Sequence, residues 1–107
     1  MLKRINLNMP GDRAAFEAGG KNTLRVSATD RGLGTNWTTA VLTVRGYVGS
    51  RGGVVTIATI SNTDQGTLMG PYVIPSLDRV EVVVTTPQSV TASTELMIDV
   101  EALLTAE

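Results

Sequence analysis

The chemistry this chain could do is bounded first by two missing residue types. Its 107 residues include no histidine and no cysteine. That removes Ser-His-Asp and Cys-His nucleophiles, the commonest general base, thiolate metal sites and any disulfide framework. Carboxylates remain. Asp99 and Glu101 stand two apart, so on a strand they share one face, the starting point for a glycosidase-type pair. Such pairs need a concave, desolvated setting that raises one pKa, whereas these two fall on the polar side of an alternating segment. Asn62-Thr63-Asp64-Gln65-Gly66 has oxygen ligands two apart, like the opening of a calcium loop. The third side-chain ligand is missing, however, and Val73 stands where the bidentate glutamate would fall. The segment reads as a polar turn. The expectation is a protein with no catalytic residue, no metal and no cofactor.

Other motifs are equally bland. Asn36-Trp37-Thr38 matches a glycosylation sequon, a match that arises readily by chance in a threonine-rich chain. Gly49-Ser50-Arg51-Gly52-Gly53 lacks the lysine and following helix of a phosphate loop and reads as a hairpin turn. Trp37 could stack on a sugar. With one Trp, two Tyr and one Phe in the whole chain, a core or interface tryptophan is the better expectation. Nine basic and ten acidic residues give a net charge of −1, so neither an electrostatic footprint nor a stacking platform for nucleic acid is expected. The basic start Met1-Leu2-Lys3-Arg4 is followed by polar residues, not by the apolar run of a signal peptide. No stretch approaches the ~20 apolar residues that span a bilayer. Synthesis in a cytosol and no membrane partner are expected.

The elements that must position any surface are strands. Fifteen threonines and thirteen valines suit a pleated, half-buried surface and are disfavoured in helices. Period-2 alternation runs through 2–9, 22–28, 37–48, 54–60, 78–86 and 94–104, with turn residues between. Tyr72-Val73-Ile74, flanked by Pro71 and Pro75, reads as an edge strand or a crossing connection. Residues 13–18 admit two readings: a short helical turn capped by Asp12 and stopped by Gly19-Gly20, or an irregular strand that inserts Phe16 into the core. The predicted fold is all-β, an antiparallel two-sheet β-sandwich of jelly-roll or Ig-like type, with about six to eight strands. At most one helical turn is expected, near 12–18. Residues 1–20 are set apart as an N-terminal strand or arm, and 21–107 form the sandwich domain.

Trp37 to Ile60 reads as two long strands joined by the glycine-rich turn. Ala40, Leu42, Val44 and Val48 make one face of the first strand, and Trp37, Thr39, Val41, Thr43, Arg45 and Tyr47 the other. Between Asn36 and Thr63 the only charges are Arg45 and Arg51. Isolated proteins blunt long uncharged strands against edge pairing, so this stretch is where a subunit contact is expected.

The run TNWTTAVLTVRGYVGSRGG, followed later by GPYVIPSLDRVEVVVTT, resembles a β-sandwich module of tailed-bacteriophage virion proteins. The matching residues are Trp37, Thr39, Ala40, Val41 and Thr43, then Pro75, Arg79, Val80, Val82, Val84, Thr85 and Thr86, within roughly 22–104. The hairpin tip departs from that pattern, having Ser50-Arg51-Gly52-Gly53-Val54 where the module often carries Asp-Gly and a second aromatic. The resemblance implies a non-enzymatic virion part, such as a capsid decoration (cement) protein or a head-fibre or tail module, and is greatest to the decoration type, located on the capsid surface. Its implied partners are the major capsid protein and further copies of itself, a trimer being favoured. Candidate contacts are Lys3, Arg4, Arg13 and Phe16 in the N-terminal segment and Trp37, Val41, Thr43, Arg45 and Tyr47 in the hairpin. The competing reading is a small carbohydrate- or cell-surface-binding sandwich, with Trp37 as its platform.

Overall fold

The computed structural model describes residues 2–30, 37–48, 53–74, 79–88 and 96–106. They form eight strands: β1 (Leu2–Asn6), β2 (Arg13–Glu17), β3 (Thr23–Asp30), β4 (Val41–Val48), β5 (Gly53–Ile60), β6 (Met69–Val73), β7 (Arg79–Thr86) and β8 (Met97–Thr105). Two four-stranded sheets result, one in the order β1-β8-β3-β6 and the other in the order β2-β7-β4-β5. Every pairing is antiparallel.

The pairings β1·β8, β2·β7, β3·β6 and β4·β5 are those of one long antiparallel ribbon with the β4–β5 hairpin at its tip. Successive pairs of that ribbon alternate between the sheets, and β3·β8 and β4·β7 pairings close each sheet. This is the jelly-roll form of the sandwich, and it resolves the choice between jelly-roll and Ig-like order.

Alternation supplies the core. Ile5, Leu24, Val26, Ile98 and Val100 from one sheet face Leu42, Val44, Ile60, Val80 and Val82 from the other, all fully buried. Each such side chain contributes ~1.5–3 kcal/mol by leaving water. β7 is covered on both sides, for Glu81 and Val83 on its outer face are buried too, as befits a strand lying between β2 and β4.

Arg13–Glu17 form strand β2, not a helical turn, and Phe16 enters the core. Pairing to Val80–Val83 outweighs a six-residue helix that is too short to be stable. Among the described residues the only helical element is the 3-10 turn Asn62–Asp64. Of the strand and arm readings of the N-terminal segment, residues 2–20 take the strand form: they supply an edge strand to each sheet and bury Ile5, Leu7, Ala14, Phe16 and Ala18.

Three bulges adjust the ladders. In β5, Ile57 is the extra residue between the pairs Val44↔Ala58 and Arg45↔Thr56. In β7, Thr85 is extra between Val41↔Thr86 and Leu42↔Val84. In β6, Gly70 and Pro71 together oppose Arg25. Gly70 has φ +107, and a Cβ there would lie 2.7 Å from the Leu24 carbonyl oxygen. Both the dihedral and the close approach demand glycine. Gly70→Ala is therefore expected to lower stability by about 1–3 kcal/mol, read as a fall in the urea midpoint at unchanged m-value.

Candidate assembly surface

Strand β4 runs through the middle of its sheet and turns Thr43, Arg45 and Tyr47 outward. Their neighbours on that outer face are fixed by register: Val83, Glu81 and Arg79 from β7 on one side, and Thr59, Thr56 and Val54 from β5 on the other. Beyond β7, strand β2 adds Arg13 opposite Val83 and Ala15 opposite Glu81.

Glu81 is the electrostatic centre of this face, being only 4% exposed. Its two oxygens are shared between Arg13 Nη1 at 3.5 Å and Arg79 Nε at 3.1 Å. A buried carboxylate requires such partners, while the arginines themselves keep about half their side chains in water. Arg79 in turn lies over the Tyr47 ring, 4.3 Å from its centroid, which holds the ring by cation–π attraction. At the other end of β4 the bulge residue Thr85 donates its hydroxyl to the Val41 carbonyl at 3.1 Å and meets the Thr43 hydroxyl at 3.0 Å. The face is thus held side chain to side chain across three strands and presents arginine, tyrosine and threonine to solvent.

Of the sequence-derived candidates, Arg13, Val41, Thr43, Arg45 and Tyr47 belong to this sheet and come together. Arg4 does not. It lies on the outer face of the opposite sheet, where its Nε donates to the buried Asp99 carboxylate at 3.2 Å. That ion pair also occupies the carboxylate that stood beside Glu101 in the sequence.

Lys3 and Phe16 lie in the seam between the two sheets. Lys3 is on the core side of β1, opposite Val100, and its ammonium donates to the Ala15 carbonyl while standing 5.4 Å from the Phe16 ring centroid. It ties edge strand β1 to edge strand β2. A cavity of about 530 Å³ opens beside it, lined by Phe16, Lys21 and Leu104 among others.

Trp37 has to be removed from the surface. It is 1% exposed and its indole N–H donates to the Ala40 carbonyl at 2.8 Å. The outward assignment extended the parity of β4 back to residue 37. The strand begins only at Val41, and residues 37–40 are a turn on the crossing from one sheet to the other, where strand parity does not apply. That turn is held by Gln88, which the sequence reading missed. Its Oε1 accepts the backbone N–H groups of Thr38, Thr39 and Ala40 at 3.0, 3.1 and 3.2 Å, and its Nε2 donates to the Thr38 hydroxyl at 2.7 Å. A lone glutamine fifty residues away along the chain carries no local signal of such a role.

In the Asn62–Gly66 segment, the Asp64 carboxylate accepts from the Ser61 N–H at 3.0 Å and its hydroxyl at 3.2 Å, which is turn chemistry. The sequon Asn36, the hairpin tip at 49–52 and Pro75 lie outside the described residues. Comparison with known proteins finds no family model, no curated protein and no solved structure that matches the chain.

Two measurements check this placement. Trp37→Ala is expected to cost about 3–5 kcal/mol of folding stability, as for other fully buried aromatics. Gln88→Leu, which removes the shared acceptor of three backbone donors and leaves the buried Ala40 N–H without it, is expected to cost about 1–3 kcal/mol. Gln88→Glu keeps the acceptor and should lose less than half as much in the same denaturation series.

Proposed function

We propose that the chain is a non-enzymatic structural protein of a phage virion, a capsid decoration protein that binds the assembled capsid lattice and stabilises it. The observation that carries this reading is an assembly surface with two adjoining parts. One is the rigid outer face of β4 and β7 around Glu81. The other is β5, the outermost strand of that sheet among the described residues, eight residues long without a charge. Uncharged edges of this length are normally blunted, so a surface left open in this way is one that a partner covers.

The resemblance of residues 22–104 to virion modules supports the same conclusion. The fold is compatible with it, jelly rolls being common in viral capsid domains as well as lectins, though fold alone assigns no function. The carbohydrate-binding alternative rested on Trp37 as a platform, and burial of the indole takes that support away.

The physical mechanism follows from selective binding. A protein that contacts several capsid subunits only in their assembled arrangement lowers the free energy of the shell by mass action. Weak contacts to repeated subunits add through effective concentration. The rigid sandwich suits this role, because little ordering entropy is spent when its face docks. The partners are the major capsid protein and other copies of the chain, at the capsid surface.

Co-sedimentation of the purified chain with capsids of the encoding particle tests the proposal. Binding to assembled shells but not to free capsid subunits is expected, together with a rise of several degrees in the temperature at which the shells disrupt. The double variant Arg45→Glu, Tyr47→Ala should weaken binding by about tenfold or more, the scale of losing one or two central contacts. No binding to assembled shells overturns the proposal.

A further inference from the structure

Among the described residues the sandwich has four edge strands, β1, β6, β2 and β5, and three of them are guarded. β1 is five residues long and carries Lys3 and Arg4. β2 is five residues long and carries Arg13 and Glu17. β6 is five residues long, with Pro71 and a bulge in its middle. Short length, charge, proline and bulges are the devices by which proteins keep sheet edges from pairing. β5 has eight residues and no charge or proline. Its single bulge, at Ile57, leaves Gly53–Thr56 as an extended run in which all four residues are exposed. Val54 is 52% exposed and Val55 41%, although these two point to opposite faces. Both faces of the strand therefore offer apolar surface beside its outer backbone edge, which pairs with no other described strand.

We propose that β5 is a strand-addition site for a second copy of this chain, paired antiparallel to β5 of that copy about a two-fold axis through Val54–Thr56. This rests on the assembly reading above and names its partner. Two physical points select a second copy over another occupant. Guarding exists to prevent self-pairing, since the neighbour that most often presents the same edge is another copy. An exempted edge beside three guarded ones is therefore one whose self-pairing is used. Because the remaining edges are blunted, the only strand that a second copy can offer β5 is its own β5, which makes the contact isologous and closed.

The consequence is geometric. A two-fold axis perpendicular to the sheet joins two four-stranded sheets into one of eight strands and keeps both outer faces on the same side. Thr43, Arg45 and Tyr47 of both copies then form one continuous surface, with two equivalent docking faces for a repeating lattice. The product is a dimer, not the trimer implied by the family resemblance.

The absence of cysteine makes the register directly measurable. Single variants Val54→Cys, Val55→Cys, Thr56→Cys and Thr59→Cys are oxidised under mild conditions and their crosslinking rates compared. In an antiparallel pair only the residue at the axis lies opposite its own copy within disulfide reach. One of the first three positions should therefore crosslink at least tenfold faster than Thr59→Cys.

Sedimentation of the unmodified chain at about 100 μM should give a dimer, a concentration suited to a contact smaller than a standard interface. Val54→Lys with Thr59→Lys should weaken it tenfold or more with circular dichroism unchanged. A monomer at that concentration, uniform crosslinking rates, a trimer, or a dimer indifferent to the lysines overturns the inference. So does a monomer whose β5 instead takes up a capsid-protein strand. Capsid binding without β5 pairing would sink this inference and leave the virion proposal standing, and β5 dimers that ignore capsids would do the reverse.

Discussion

Of the eight described strands, β4 and β5 alone are consecutive and in the same sheet, so that the other six steps from one strand to the next change sheets. Where the described residues follow such a crossing, backbone leaves a ladder next to an apolar core, where an unpaired N–H costs ~1–3 kcal/mol. Short polar side chains answer this at one crossing after another. Asp12 accepts from the Asn6 and Arg13 amides, Asn8 from that of Leu96, Asp64 from that of Ser61 and Gln88 from three in a row. Gln88 also donates its own N–H to the Leu7 carbonyl at 2.7 Å. One residue thus joins the β1–β2, β3–β4 and β7–β8 crossings. With that turn held, Trp37 can fill the core instead of the surface.

How far these features were legible in the chain depends on whether the signal is local. Alternation in Leu24, Val26 and Ala28, or in Leu42 and Val44, reports a strand with one buried face, because parity is a property of consecutive residues. The prolines flanking Tyr72-Val73-Ile74 narrowed that piece to an edge strand or a crossing connection for an equally local reason, and Met69–Val73 is the edge strand β6. Parity fails where a ladder is interrupted. Ile57 is a bulge, so Val54 and Thr56 lie on the outer face while Ala58 and Ile60 point into the core, although all four share parity in the sequence. Trp37 was misplaced by the same mechanism one step outside a strand. Helix against strand at 13–18 was undecidable locally, since the partner that decides it is Val80–Val83.

Of the candidate assembly surface, the uncharged hairpin was visible as composition, and its outward residues Thr43, Arg45 and Tyr47 as periodicity. Glu81 was not. Written as Val80-Glu81-Val82-Val83-Val84, it reads as the polar side of a half-exposed strand. Strands on both flanks bury it, and Arg13 and Arg79 then become obligatory partners. The charge balance of the face is a tertiary fact, set by which strands flank β7.

A bulge in β5 decides which of its residues stand beside the outer face of β4. A regular β5 would put Val54 and Thr56 on the same side as Ala58 and Ile60, inside the sandwich. The extra residue at Ile57 rotates the Gly53–Thr56 run by one position, so that Val54 stands beside Tyr47 and Thr56 beside Arg45. The bulge that elsewhere serves to twist an edge out of reach here brings exposed apolar side chains alongside the arginine–tyrosine stack. The strand pairing proposed at β5 and the docking proposed for the outer face would therefore share residues, and a partner that covered one would be in position to order the other.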